Sequence, residues 1–266
     1  MKKSHKENKI MLKKLLPLFA AALCLLTACG GEKEKTFTVG FDANFPPYGF
    51  KNENGEYTGF DLELAEEVAR RNGWKLVKKP INWDAKDMEL SSGNIDCIWN
   101  GFTINGREGK YEWTKPYVDN SQVVVVLKDS AINKHSDLAG KVVTVQTDTP
   151  IQKALKADGD LKAIGGTFKE LRTVANYNQA VMELEAGSCD AVAIDIGVAN
   201  SKMNSGKFRM LEEPLMKEQY GIGFLKGNTG LRDQVEKTLI EMVKDGTAAK
   251  ISAKYFKGED VLIIGK

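Results

Sequence analysis

Two stretches far apart in the chain carry the same pattern: Met88-Glu89-Leu90-Ser91-Ser92-Gly93-Asn94-Ile95-Asp96 and Met182-Glu183-Leu184-Glu185-Ala186-Gly187-Ser188-Cys189-Asp190. Both follow M-E-L-x-small-G-x-x-D. Each reads as the end of a helix, a glycine that stops it, and the start of a strand. A match that falls on the same elements in both halves predicts two similarly built lobes, one around each copy. In open parallel sheets, ligands bind beyond the carboxyl ends of the strands. The strands opening at Asp96 and Asp190 end near residues 100–103 and at Asp195, so these ends are expected to face each other across a cleft. Asp96 and Asp190 lie at the opposite ends, where local hydrogen bonding at a turn is the expected role.

Around the two copies, short β-rich runs alternate with amphipathic helical runs, the pattern of an α/β fold. Residues 36–42 read as a strand and 59–72 as a helix. In that helix Phe60, Leu64 and Val68 share a face, Leu62, Ala65 and Ala69 widen it, and Gly73 stops it. Strands are expected at 74–79, 95–100, 142–146, 191–194 and 220–224. Helices are expected at 84–92 and 234–244, with a last one from Thr247, read as its cap, through Tyr255. The 266 residues suffice for two domains that each bury a core.

The first residues differ in kind. Lys2, Lys3, Lys6, Lys9, Lys13 and Lys14 precede an almost wholly apolar run, 15–26, which is the layout of a secretory signal; Met1 and Met11 both fit as its start. The following Leu26-Thr27-Ala28-Cys29-Gly30 resembles a bacterial lipobox, with Cys29 the acylated residue. Each buried CH₂ of an acyl chain contributes about 0.8 kcal/mol, and two chains anchor stably. Residues 1–28 are therefore expected to be a signal peptide and 29–35 a lipidated tether. Removing 1–28 takes away six Lys and one Glu and leaves 32 basic against 35 acidic residues, a net of −3. Such a balance gives no support for nucleic-acid binding. Of the cysteines that remain, Cys97 and Cys189 occupy matching places in different halves, and two buried free thiols are expected.

Conventional catalysis is poorly supplied. One histidine, His5, lies in the signal and the other, His135, in a polar loop. No Cys/His spacing suggests a metal, and no P-loop, G-x-G-x-x-G or G-x-S-x-G suggests a cofactor or a nucleophile. A zwitterion is better served. Arg107 follows one strand end and offers a bidentate cation to a carboxylate. Thr147-Asp148-Thr149-Pro150 follows another and opens a helix, with Thr149 as N-cap and Pro150 at the first helical position. Asp195 ends an apolar strand, an unlikely place for an unpartnered charge, and could meet an ammonium. The alternatives are a surface-loop role for Arg107 and a capping role for Asp195.

The whole mature chain resembles bacterial solute-binding protein family 3, the polar-amino-acid receptors of ABC importers. The matching stretches are 39–48 (Val-Gly-Phe-Asp-Ala-Asn-Phe-Pro-Pro-Tyr), 59–64 (Gly-Phe-Asp-Leu-Glu-Leu), 92–96, Thr103 to Arg107, 115–117 (Lys-Pro-Tyr), Val145-Gln146, Ala186-Gly187 with Asp190 and Asp195, 245–247 (Asp-Gly-Thr) and 254–256 (Lys-Tyr-Phe). The resemblance implies a two-lobed periplasmic-binding-protein fold of type II, each lobe a mostly parallel sheet flanked by helices. It also implies two hinge crossovers, placed near 125–128 and 222–225. Lobe 1 is then 36–125 plus 225–266, and lobe 2 is 126–224. By position, Asp42, Phe45, Trp83, Asn100, Gly101, Thr103, Arg107, Thr149 and Asp195 fall on the family's ligand contacts, with Phe45 and Trp83 as a clamp on the ligand's aliphatic stem. Two departures stand out. The loop from Thr103 to Arg107 is one residue shorter than usual, and the usual Gly-Ser/Thr loop is Thr147-Asp148-Thr149, so Asp148 must point away from the ligand carboxylate or pair elsewhere.

The function so implied is a lipid-anchored, extracytoplasmic, monomeric receptor without cofactor. It binds a small polar L-amino acid by hinge closure and presents it to an ABC permease. An enzyme of the same fold, dehydratase-like, and a ligand-sensing receptor module are the alternatives. Asp42, with Asp84 nearby, favours a side chain bearing N–H donors: glutamine, histidine, arginine, lysine or cystine. Alternatively, Asp42 only braces the loop 43–47.

Overall fold

A computed structural model describes residues 34–157, 159–203 and 205–266; the expected signal segment and Cys29 lie outside the described residues. Residues 36–266 form one compact unit. Its strands, in chain order, are β1 (Thr36–Phe41), β2 (Asn44–Phe45), β3 (Gly49–Lys51), β4 (Tyr57–Thr58), β5 (Lys75–Pro80), β6 (Cys97–Ile98), β7 (Glu112–Trp113), β8 (Val118–Leu127), β9 (Val142–Gln146), β10 (Glu170–Val174), β11 (Ala191–Asp195), β12 (Phe208–Met210), β13 (Met216–Tyr220) and β14 (Gly223–Phe224). The helices are α1 (Phe60–Arg71), α2 (Lys86–Ser91), α3 (Pro150–Ala154), α4 (Asp160–Gly165), α5 (Tyr177–Glu185), α6 (Ile196–Met203), α7 (Thr229–Lys244) and α8 (Thr247–Tyr255).

Two sheets carry the fold. The first runs β5-β1-β6-β14-β7; the second runs β10-β9-β11-β8-β12, with β13 also on β8. In each, three strands are parallel, β5-β1-β6 and β10-β9-β11, and the rest are antiparallel. The sheets are thus mixed, with the parallel core confined to the repeated βαβ part. The strands that change sheets join antiparallel, since each arrives from the other lobe.

The repeated sequence performs the same task in both sheets. Gly93 and Gly187 take left-handed conformations, φ 73° and 71°, that only glycine adopts freely. The chain then turns into β6 and β11. Asp96 Oδ2 accepts the Thr38 amide of β1 at 2.6 Å, and Asp190 Oδ2 accepts the Val142 amide of β9 at 2.8 Å. Each aspartate therefore ties the start of one parallel strand to its neighbour, the local role expected of it.

Helix α1 buries the expected face, Phe60, Leu62, Leu64, Ala65, Val68 and Ala69, against the first sheet. Burying each large apolar side chain contributes about 1.5–3 kcal/mol. The C-terminal helices return to this lobe. Phe256 packs on Phe60 and Tyr48 with ring centroids 5.1 and 5.8 Å apart, and Arg71 Nη1 donates to Asp245 at 2.6 Å.

Two expectations need correction. Strand β8 pairs with the second sheet along its length, so the chain changes sheets between Trp113 and Val118, ahead of 125–128. The return falls between Tyr220 and Gly223, overlapping the expected 222–225. Thr247 is not a cap but the first residue of α8, and its amide is taken by Asp245 Oδ1 at 3.0 Å. Cys97 and Cys189 are buried and free.

Candidate functional site

The carboxyl ends of β1, β6, β9 and β11 converge where the sheets meet. On the first lobe, β1 ends and Asp42 Oδ1 accepts the Asn44 amide at 2.8 Å, turning the chain so that Phe45 points inward. Beyond β6, Gly101 has φ 54°; a Cβ there would lie 2.9 Å from the Phe45 ring and 3.0 Å from that of Tyr220, so only glycine fits. Its amide donates to the fully buried Asp61 at 2.6 Å, and Asp61 also accepts from the Tyr117 hydroxyl at 2.8 Å. Burial raises Asp61 to about 7 despite these donors. Thr103 bridges to Tyr220 of β13. The shortened loop then closes as a turn, with Gly106 at φ 76° and the Arg107 amide on the Ile104 carbonyl at 2.8 Å.

On the second lobe, β9 ends at Gln146 and Thr149 caps α3 as expected: Pro150 is the first helical residue, and Thr149 Oγ1 accepts the Gln152 amide at 3.4 Å. Strand β11 ends at Asp195, in register with Gln122 of β8.

These ends enclose a narrow cavity lined by Phe45, Trp83, Gly101, Thr103, Arg107, Gln122, Gln146, Thr149, Pro150 and Asp195. Seven of the nine residues picked from the sequence are thus brought together. Asp42 instead lines an adjoining space, together with Asp84 and the shared wall of Trp83. Asn100 lines neither. Its side chain is turned against Gly49, where a Cβ would lie 2.4 Å from its Oδ1, and neither amide atom has a hydrogen-bond partner among the described residues. The strand end places the main chain of 100–101 at the cleft but aims the Asn100 side chain into the lobe.

Arg107 is only 5% exposed. Its guanidinium donates to backbone carbonyls, Thr103 at 3.2 Å and Asp148 at 2.5 Å, and lies 5.0 Å from the Phe102 ring centroid. Burial lowers its pKa, opposed by Asp148. Opposite in sign, Asp195 is 3% exposed. Its Oδ1 accepts from Asn120 Nδ2 at 2.9 Å and from the Tyr220 hydroxyl. One buried cation and one buried anion, both held mostly by neutral groups, line the same cavity, a charge arrangement complementary to a zwitterion.

Asp148 is accounted for by a residue the sequence did not single out. Lys86, whose side chain is fully buried, donates to its carboxylate, and Lys153 approaches it at 2.9 Å. Burial would raise the Asp148 carboxyl, but these ammoniums outweigh that and hold it at about 2. Gln146 and Gln122 were also missed. Gln146 Nε2 donates to Asp42 Oδ2 at 2.8 Å, so Asp42 both braces its own loop and ties the two lobes. Burial still raises the Asp42 pKa, against its donors Asn44 and Gln146. Gln122 Nε2 donates to Glu218 at 2.8 Å, while its buried Oε1 has no partner among the described residues. Glu218 shares the Asn120 amide with Asp195, accepting at 2.6 Å, and burial followed by the Asp195 charge pushes its pKa upward. Gln146 was recoverable as the last residue of a strand. Gln122 and Glu218 depend on antiparallel registers that no local pattern gives.

The family model described as bacterial extracellular solute-binding proteins, family 3, matches residues 37–258. The L-cystine-binding protein TcyJ of Escherichia coli (strain K12) is 30% identical over 235 residues, covering 86% of this chain and 85% of that protein. Among solved structures, Tv2483 bound to L-arginine superposes with a TM-score of 0.82 at 27% identity, covering 87% of this chain and 94% of that one. An ABC uptake transporter substrate-binding protein from Streptococcus pneumoniae with bound histidine gives 0.79 at 31%, covering 85% and 94%.

Proposed function

This chain belongs to bacterial extracellular solute-binding protein family 3, and on that premise we propose that it captures a small polar L-amino acid between its lobes and presents it to an ABC permease. The observation that carries the reading is the single cavity lined by buried Arg107 and buried Asp195. Arg107 and the capped turn at Thr149 receive the α-carboxylate; Asp195, with the free Gln122 Oε1, receives the α-ammonium. Phe45 and Trp83 flank the stem of the side chain. Past Trp83, the space lined by Asp42 and Asp84 favours a side chain with N–H donors, in the class of glutamine, histidine, arginine, lysine or cystine. The three relatives named above carry cystine, arginine or histidine in their names or titles, which agrees with this class.

Contacts to both lobes favour the closed arrangement, which is the form presented to the permease. The protein acts as a monomer held to the membrane through acylated Cys29. It binds its ligand without turning it over. Calorimetry with all twenty amino acids and cystine tests the reading, with mass spectrometry of the recovered ligand. Tight binding of a donor-rich member, recovered intact, is expected. A panel won by glutamate or leucine would overturn the side-chain assignment, and conversion of the ligand would overturn the receptor reading. Cys29→Ser should release the protein from the membrane; retention of the variant without acyl chains would overturn the anchor.

A further inference from the structure

We propose that Lys86 and Asp148 form an interlobe latch, a positioning pair that holds the lobes together before ligand arrives and so sets the affinity of the site. The proposal rests on the reading of the chain as a hinged amino-acid receptor. Lys86 opens α2 beside the first sheet, and Asp148 lies in the turn between β9 and α3 of the second. The Lys86 ammonium has no exposure; it donates to Asp148 and to the Trp83 carbonyl at 3.2 Å, and sits 5.0 Å from the Trp83 ring centroid. Asp148 holds φ 52°, a conformation that disfavours a residue with a Cβ. A glycine would take this turn without strain, so the aspartate does something a glycine could not.

One turn of the second lobe thereby receives two buried cations of the first: Lys86 on its carboxylate and Arg107 on its carbonyl. Parting the lobes would leave the Lys86 ammonium without its anion beside apolar Trp83, so the pair favours closure whether or not ligand is bound. Apparent affinity falls in proportion to the population of the binding-competent state, so a latch that raises that population tightens binding without touching ligand. The pairing also cancels the Asp148 charge, which would otherwise repel a carboxylate held by Arg107.

The test uses the full chain carrying Cys24→Ser and Cys29→Ser, with spin labels at Met88→Cys and Met182→Cys, exposed positions on the helices of the two lobes; the native Cys97 and Cys189 are buried. L-arginine, L-histidine and L-cystine are the probes. Asp148→Asn should lengthen the ligand-free interlobe distances. It should weaken the probe that binds by roughly five- to a hundred-fold, matching its loss of closed population, and saturating probe should restore the short distance. Lys86→Met/Asp148→Asn should recover part of the lost affinity, because no buried charge is left alone. Unchanged ligand-free distances in Asp148→Asn, or weaker binding without a change in distance, would overturn the latch. Asp148→Asn alone decides if Lys86→Met fails to fold. An Arg107→Ala control separates the two readings: normal binding there overturns the site assignment, whereas lost binding there with Asp148→Asn unaffected overturns only the latch.

Discussion

The two copies of M-E-L-x-small-G-x-x-D differ little where they begin and strongly where they lead. At their starts, Gly93 and Gly187 adopt the same left-handed turn, and Asp96 and Asp190 hold the first parallel strand of each sheet, β1 and β9, by the same bond. At the far ends of the strands that follow, one lobe offers Gly101, Thr103 and Arg107, and the other offers Asp195. Positions that stabilise the turn and sheet lie at one end of the strands; those that line the cavity lie at the other. Changes at the starts should therefore alter stability in both lobes alike, and changes at the ends should alter binding in opposite electrostatic senses.

The largest expected effect is at the ends. Removing one partner from a buried, hydrogen-bonded charge contact costs about 2–5 kcal/mol. Arg107→Ala and Asp195→Ala should each weaken ligand binding by roughly thirty- to several-thousand-fold in calorimetry. Far-ultraviolet circular dichroism should remain that of the parent. Near-normal affinity in Arg107→Ala would mean that the shortened loop has passed its task to another residue.

A smaller effect concerns pH. Asp61, which holds the Gly101 amide, is raised by burial from its ordinary 3.8 to about 7. Between these values the folded chain keeps a proton that the unfolded chain has released. The stability this contributes is complete below the unfolded value and is lost as the pH rises through about 7. Asp61→Asn, which keeps the acceptor for Gly101, should flatten the dependence of melting temperature on pH over that window. An unaltered slope would place the titrating group elsewhere.

Smallest are the starts. Asp96→Ala and Asp190→Ala should each cost about 1 kcal/mol in denaturant unfolding. Gly93→Ala and Gly187→Ala should each cost about 1–2 kcal/mol, although a Cβ at either would meet nothing within 4 Å. Ligand affinity should stay within about twofold, since these sites lie a strand's length from the cavity. A loss in one lobe several times that in the other would break the equivalence of the two copies.

The parts of the fold legible in the sequence were those fixed by local pattern. The α1 face, the glycine stops and the Thr149-Pro150 cap rest on periodicity and capping within a few residues. The first sheet change was displaced because β8 is a single run, Val118–Leu127, whose hydrophobicity does not say which sheet it joins. Helix α7 begins at Thr229, five residues earlier than periodicity suggested, with Gly230 tolerated in its first turn. In the site, strand ends pointed to Gly101, Thr103, Arg107 and Asp195. Lys86 was hidden because its partner, Asp148, lies 62 residues away on the other lobe. Gln122 and Glu218 were hidden because their places follow from pairing with Asp195 and Asn120 across β8.

The most direct test of a cation from one lobe and an anion from the other reading a single amino acid is a crystal structure with the tightest-binding member of the panel. The α-carboxylate should lie within hydrogen-bonding distance of the Arg107 guanidinium, and the α-ammonium within that distance of Asp195 and Gln122 Oε1. A ligand bound elsewhere, or bound here with its carboxylate away from Arg107 and its ammonium away from Asp195, would contradict it.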